Sequence, residues 1–465
     1  MSDSTALATE DRAARDHTTG DSSSPGWQAV LDDDTLSLMT RGYGFGSHIW
    51  SRARAQARAV PLRLLGRKAM LVRGSDAVRL FYDEDSIARH GAMPAFVQES
   101  LFGHGSVHSL DGPEHRHRKA SFLRVAYDDD RVEELVPHLE REWRAQVEAW
   151  VGGNGASAYD AAVAAFGRAS MTWAGLPGTA AAKSRWAVRL AQIVDGFGVP
   201  YSPEFLLAFG NRMWSDRHAA RLVEAARAGT IPARAGTALH EWAWHVDERG
   251  ELLSPQLAGI ELQNSIRPMI AVARFVAFAA KELHERPDWQ RRIGEEAAAR
   301  GTLHGGPLAT AFAQEVRRTA PFVPTLPGWA RHDIEFDGAR VPAGGRLLLD
   351  ILGTNTDDSS WDEAGSFLPQ RFLGVDDYEA LEEFIPHGGA DVADGHRCPG
   401  EKLAIAGLAT AIAALSDLRL DISGIGLEVN RRRLPTKPSS GGLIRPAASA
   451  SRTRSETASS RCPVH

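Results

Sequence analysis

Cys398 stands where its side chain could do chemistry. The stretch from Phe384 to Glu401 carries it, between His396-Arg397 and Pro399-Gly400, to the first turn of a helix. Gly388, Gly389, Gly395 and Gly400 hold the approach open as a loop. A sulfur at a helix N-terminus faces unpaired backbone N–H groups and the positive end of the dipole, and Arg397 adds a cation, which together favour the thiolate. A thiolate so placed is a nucleophile or a ligand for a soft or borderline metal, haem iron included. A buried structural cysteine is the plainer alternative, but a core cysteine needs no glycine-rich approach.

Three further groups of residues invite chemistry. Arg267 and Pro268 interrupt the apolar run Ile266 to Ala273. An arginine there is costly unless something pairs it, and a proline within a helix removes a hydrogen bond and kinks it. Arg267 either turns to solvent or to a protein carboxylate, or clamps the carboxylate of an apolar acid with both arms of its fork. The sequence leaves both readings open. Pro113-Glu114-His115-Arg116-His117-Arg118-Lys119 opens a helix with clustered basic side chains, a solvated face or a seat for an anion. Glu315 and Arg318, three apart, share a helix face and on their own read as an exposed ion pair.

The elements that must position these groups are mostly helices. Apolar periodicity predicts helices over 132–151, 156–174, 180–197, 203–227, 237–248, 254–285 and 289–299. The longest runs to roughly nine turns if unbroken. Residues 61–65 and 68–72 read as a hairpin turning at Gly66-Arg67, Ser75 as the cap of a short helix over 76–83, and 334–336 and 347–352 as short strands. The expected fold class is mainly α with a minor antiparallel β part. We expect one catalytic domain over 27–445, between a disordered N-terminal segment, 1–26, and a disordered tail, 446–465.

The chain has 465 residues, 43% hydrophobic, with net charge −6, enough for a large core and without the basic run that nucleic acid would require. It holds two cysteines, which excludes a disulfide framework and points to a reducing cytoplasm. No stretch supplies the roughly 20 apolar residues of a spanning helix, so no membrane anchor is expected.

Taken together, Glu315-Val316-Arg317-Arg318, then Leu368-Pro369-Gln370-Arg371-Phe372, then His396-Arg397-Cys398-Pro399-Gly400 resemble the C-terminal half of a cytochrome P-450 in order and spacing. The common family loop has phenylalanine seven before the cysteine and arginine two before it; here Asp391 stands at the first position and the arginine is adjacent. That departure, and Arg267-Pro268 in place of an acid–alcohol pair, resemble the fatty-acid peroxygenase and alkene-forming decarboxylase branch. The loop from Leu101 to Gly112 looks like that branch too.

The resemblance implies haem b with Cys398 as axial ligand of the iron, and Glu315, Arg318 and Arg371 bracing the haem-binding core. His115, Lys119 and Arg89 would meet the propionates, and Arg397 would stand beside the cofactor. Hydrogen peroxide would be the co-substrate and a medium- to long-chain fatty acid the substrate, with no redox partner. Arg267, next to Pro268, would hold the acid's carboxylate, which then moves the peroxide proton and brings Cα and Cβ to the oxidant. His108 would bias the outcome toward decarboxylation, since hydroxylating relatives carry glutamine there. Phe102 and Phe197, with Leu101, would form the apolar wall. The rival readings are a dioxygen-dependent monooxygenase fed by ferredoxin, a haem sensor without turnover and, weakest, a zinc or cysteine-hydrolase site built from His387, His396 and Cys398.

Overall fold

The computed structural model describes residues 33–153, 155–199 and 202–447. The expected disordered segment 1–26 and nearly all of the tail 446–465 lie outside them. Short helices α1 (Thr35–Arg41) and α2 (Gly44–Trp50) lead into strands β1 (Ala59–Leu64) and β2 (Arg67–Val72), followed by α3 (Ser75–Tyr82) and β3 (Ile87–Ala88). The helical body comprises α4 (Gly112–Ala126), α5 (Asp129–Val151), α6 (Ala158–Trp173), α7 (Ala180–Gly196), α8 (Pro203–Arg227), α9 (Ala238–Ala243), α10 (Pro255–Ala271), α11 (Ala273–Glu285), α12 (Pro287–Arg300) and α13 (Pro307–Thr319). Then come β4 (Thr325–Ala330), β5 (Ile334–Phe336), β6 (Ala339–Val341), β7 (Arg346–Asp350), α14 (Ile351–Asn355), α15 (Glu401–Leu415), β8 (Leu420–Ile422) and β9 (Ile444–Pro446).

The fold is mainly α with small, largely antiparallel sheets. The five-stranded sheet runs β1-β2-β7-β4-β3, and its one parallel pair is β2 with β7. β5–β6 and β8–β9 are antiparallel pairs.

Several boundaries differ from expectation for identifiable reasons. The hairpin turns at Leu65-Gly66, both with positive φ, rather than at Gly66-Arg67, because Arg67 already pairs with Leu64. Ser75 is the first residue of α3 rather than its cap; Gly74 precedes it with φ 88° and no side chain caps the helix. The helix expected over 237–248 ends at Ala243, where a bridge between Val246 and Leu252 takes over the backbone. The long helix breaks at Val272 into α10 and α11, one turn beyond Pro268, which lacks the N–H that would bond the Asn264 carbonyl.

α15 is apolar all round, and every residue in it except Lys402 is buried. It packs on α5, whose Leu135, Leu139, Trp143, Val147 and Trp150 form a buried stripe at helical spacing. Fully burying each large apolar side chain of that contact stabilises the fold by roughly 2 kcal/mol. The cysteine loop joins two cores, for Ile385 packs with the sheet cluster and Leu403 and Leu408 with the helical one. α10 meets α15 at Gly407, where a Cβ would lie 3.0 Å from Met269. The helix bearing Arg267 is thereby held directly against the helix that follows Cys398.

Candidate active site

The cysteine loop is braced from several sides. The Cys398 N–H donates to the His387 carbonyl at 3.0 Å. The Lys119 ammonium donates to the carbonyls of Gly395 and Arg397, the latter at 2.9 Å. Gly388 and Gly389 admit protein rather than leaving a surface open: a Cβ would stand 2.9 Å from the Tyr82 hydroxyl at the first and 2.5 Å from Val78 at the second. Both neighbours lie on α3, so the glycines seat the loop on that helix.

The surroundings of the Cys398 sulfur do not favour the thiolate in the way the helix-terminus argument implied. Burial, which outweighs a backbone hydrogen bond from Gly400, pushes its pKa up. Lys119 and Arg317 are the cations that oppose the shift, whereas Arg397 is turned to Glu401, with its Nε 2.8 Å from the carboxylate. Glu401 also pairs with Arg317. Stabilising a thiolate here therefore falls to a bound metal.

Glu315 and Arg318 are wholly buried and joined by two hydrogen bonds of 2.8 and 2.7 Å, not exposed as such a pair usually is. Arg318 also donates to the carbonyls of Asn355, Ala364 and Ser366, and Arg371 meets Glu315 at 3.2 Å. This fully hydrogen-bonded charge cluster ties α13 to the segment leading into the cysteine loop.

On the side of His396, basic groups converge with unused donors. His115 stacks on His396 with ring centroids 3.9 Å apart, and its Nδ1 is buried with no partner. Burial and then Lys119 push the His115 imidazole down to about 3, so it is neutral at physiological pH. Arg89 lies over the rings of Phe81 and Tyr82, with Nη1 buried and unpartnered; Arg397 also has an unpartnered Nη2, but its guanidinium is turned to Glu401 and the Tyr378 ring rather than to this group. Orphaned buried donors of this kind call for an acceptor, and the two carboxylates of a haem suit them. A cysteine sulfur with unused basic donors near it suits haem b, which Cys398, His115 and Arg89 would hold. The zinc reading fails: among the described residues, the ligating group whose donor atoms converge is Glu84, His115 and His396, without Cys398.

Arg267 is 4% exposed. It makes no ion pair with a carboxylate among the described residues, and one arm donates to Asn264 Oδ1 while Nε has no partner. Burial, followed by the nearby Arg212 charge, lowers its pKa to about 9. It remains a cation at neutral pH, held in a place that penalises charge. Its guanidinium lies 5.9 Å from the Phe102 ring, and Phe102 stacks on His108 at 4.1 Å. Burial, then Arg267, push His108 down to about 3, so the ring is neutral, although more than a third of its surface is uncovered.

The loop reaches Arg267 because Gly103, at φ 95°, has no side chain; a Cβ there would lie 2.6 Å from Arg212 and 2.7 Å from Ile260. Leu101 is buried in the π-helical turn Gln98–Phe102. Phe197, at the end of α7, is half-buried against the helical core and makes no ring contact with Phe102 or His108 among the described residues. The structure thus gathers Arg267, Phe102 and His108 in one group and Cys398, His396, His115, Lys119 and Arg89 in a neighbouring one. Sequence reasoning missed Asn264 and Glu261, although both precede Arg267 at helical spacing, and Arg212, which no local pattern distinguishes.

Residues 276–418 match the family model for cytochrome P450. The chain is similar to cytochrome P450SP alpha (CYP152B1) in complex with (R)-ibuprophen, with 35% identity and a TM-score of 0.80 over 89% of this chain and 98% of that one. It is similar to ligand-free cytochrome P450 OleT at 28% identity, TM-score 0.81, over 89% of this chain and 96% of that one. A variant of OleT in complex with arachidonic acid matches equally well, at 28% identity and TM-score 0.81. Putative cytochrome P450 137 of Mycobacterium tuberculosis is 24% identical over 68% of this chain and 67% of its own length. Cytochrome P450 93G1 of Oryza sativa subsp. japonica, 29% identical, is matched over 30% of its length.

Proposed function

The chain belongs to the cytochrome P450 family, and from that premise we propose that it is a haem-thiolate peroxygenase, which uses hydrogen peroxide to oxidise fatty acids at Cα and Cβ and to decarboxylate part of them to terminal alkenes. The observation that carries this reading is Arg267: a buried guanidinium with no carboxylate of its own, on the helix that packs against α15. In a P450 that uses dioxygen, an acid–alcohol pair belongs on that helix to deliver protons. Arg267-Pro268 supports an acid brought in by the substrate instead, and with peroxide already reduced, no redox partner is required.

Cys398 would ligate the haem iron, and the bound haem would supply the oxidising chemistry, which a thiolate ligand disposes toward O–O cleavage. The protein's contribution is placement. Arg267 offers Nε and a terminal nitrogen to both oxygens of a fatty-acid carboxylate, a bidentate pairing strengthened by the dry surroundings. That carboxylate moves the peroxide proton from one oxygen to the other, and the fixed headgroup limits reaction to Cα and Cβ. His108, neutral, supplies a hydrogen bond toward the carboxylate rather than a positive charge. Phe102 and Leu101 line the apolar wall, and Phe197 would act farther along the alkyl chain. Medium to long chains fit this wall. Arg89 and His115 have donors free for the propionates, while Lys119 is already bonded to the cysteine loop and Arg397 is turned to Glu401.

The OleT structure with arachidonic acid supports a fatty-acid ligand for a protein of this shape. No helix among the described residues is long and apolar enough to cross a membrane, and we place the enzyme in the cytoplasm. Purified protein given hydrogen peroxide and saturated acids should yield 2- and 3-hydroxy acids and a 1-alkene one carbon shorter, read by gas chromatography. Arg267→Ala should lose this turnover by at least about a hundredfold, the loss of a buried bidentate pair. Turnover retained in Arg267→Ala would overturn the clamp, and activity only with a ferredoxin and dioxygen would restore the monooxygenase reading.

A further inference from the structure

We propose that Asn264 is a positioning residue that aims the Arg267 guanidinium at the substrate carboxylate, with its own amide held in register by Glu261. This rests on Arg267 being the carboxylate clamp.

The geometry leaves the Asn264 amide one orientation. Its Nδ2 donates to Glu261 Oε2 at 3.0 Å and to the Phe102 carbonyl at 3.1 Å, so both amide protons have acceptors. The carbonyl end is thereby turned to Arg267, and accepts from Nη2. A flipped amide would set its NH2 against the guanidinium and face its oxygen with a carboxylate and a carbonyl. Glu261 is itself anchored and wholly buried: Oε1 accepts from the Val107 N–H at 2.8 Å and from Arg118 Nη1 at 3.1 Å. Glu261, Asn264 and Arg267 follow one another at three-residue spacing along α10. One hydrogen-bonded line therefore runs from the loop that carries Phe102 and His108 to the clamp.

The choice of an amide has a physical reason. An aspartate at 264 would neutralise Arg267 from within, in surroundings where an ion pair is strong, and would compete with the substrate's carboxylate. A neutral acceptor fixes the direction of the fork and leaves its charge available. Glu261 is hydrogen-bonded to Arg118 and reaches Arg267 through the amide.

The test compares binding of dodecanoic acid and of dodecanol to the haem-loaded protein by isothermal titration calorimetry. Wild-type protein should bind the acid more tightly. In Asn264→Asp the acid should weaken at least about tenfold while the alcohol stays within twofold. Glu261→Gln, which keeps the shape and replaces the carboxylate oxygen that accepts from the amide with a group that can present an N–H there, should weaken the acid severalfold and again spare the alcohol; it serves also if the aspartate variant fails to fold. Parallel weakening of both ligands, or an unchanged affinity for the acid, would overturn this inference alone. A wild-type protein that binds the acid no better than the alcohol would overturn the clamp, and this inference with it.

Discussion

His108 and Arg267 show how one enclosure acts on two bases differently. Both lose solvation, yet the imidazole, with an ordinary pKa near 6.5, is driven to about 3 and loses its charge, while the guanidinium falls only to about 9 and keeps it. On the proposed function, the headgroup of the acid would meet the Arg267 cation and a neutral hydrogen-bonding ring. Affinity for a fatty acid should consequently be flat between pH 6 and 8, measured by titration of the holoenzyme; a step near 6.5 would mean that an imidazolium takes part. His108→Gln keeps a hydrogen-bonding side chain but not the ring stacked on Phe102. Its expected outcome is a lower alkene share at similar total turnover, read as the ratio of alkene to hydroxy acids.

Two elements set where these side chains stand. α10 contains Pro268, which leaves the Asn264 backbone carbonyl without its helical partner. Pro268→Ala should regain that hydrogen bond and raise thermal stability, up to about the 3 kcal/mol assigned to a proline within a helix. It should also lower fatty-acid turnover, because the straightened helix re-aims Arg267. Calorimetric melting and product yield measure the two effects, and a rise in both would remove Pro268 from the site. The cysteine loop depends on Lys119, which reaches from α4 to the carbonyls of Gly395 and Arg397. Lys119→Met leaves those carbonyls buried without a donor, a loss of about 2–3 kcal/mol. Haem retained per chain after gel filtration should fall accordingly.

Across the whole molecule, buried neutral histidines make the fold acid-sensitive. His245 is 5% exposed and hydrogen-bonded through Nδ1 to the Ser121 hydroxyl. Burial, then Arg118 and His117, with Arg124 beyond, hold its pKa down to about 4 against the pull of Glu241. Between pH 4 and 6.5 the unfolded chain binds the proton that the folded one refuses. Stability is thus fully present above pH 6.5 and falls as the pH drops toward 4. His245→Asn should flatten that fall by up to about one proton, roughly 1.4 kcal/mol per pH unit, in urea titrations across the range.

What could be read from the sequence was local or periodic. The 3.6-residue apolar pattern located most of the helices, Pro203–Arg227 to the residue, and the resemblance rested on motifs of contiguous residues around Cys398, Glu315 and Arg267. The sequence also specified which side chains could carry charge or ligate iron. It could not say which of them would be charged. That Glu315 and Arg318 are buried rather than surface partners, that burial pushes the Cys398 pKa up, that Lys119 faces the loop and that Arg397 faces Glu401 all depend on what the fold brings around each group. Solvation and Coulomb terms are sums over neighbours distant in the chain. Arg267 remained open in the sequence for the same reason, and was decided when the fold enclosed it without a protein carboxylate.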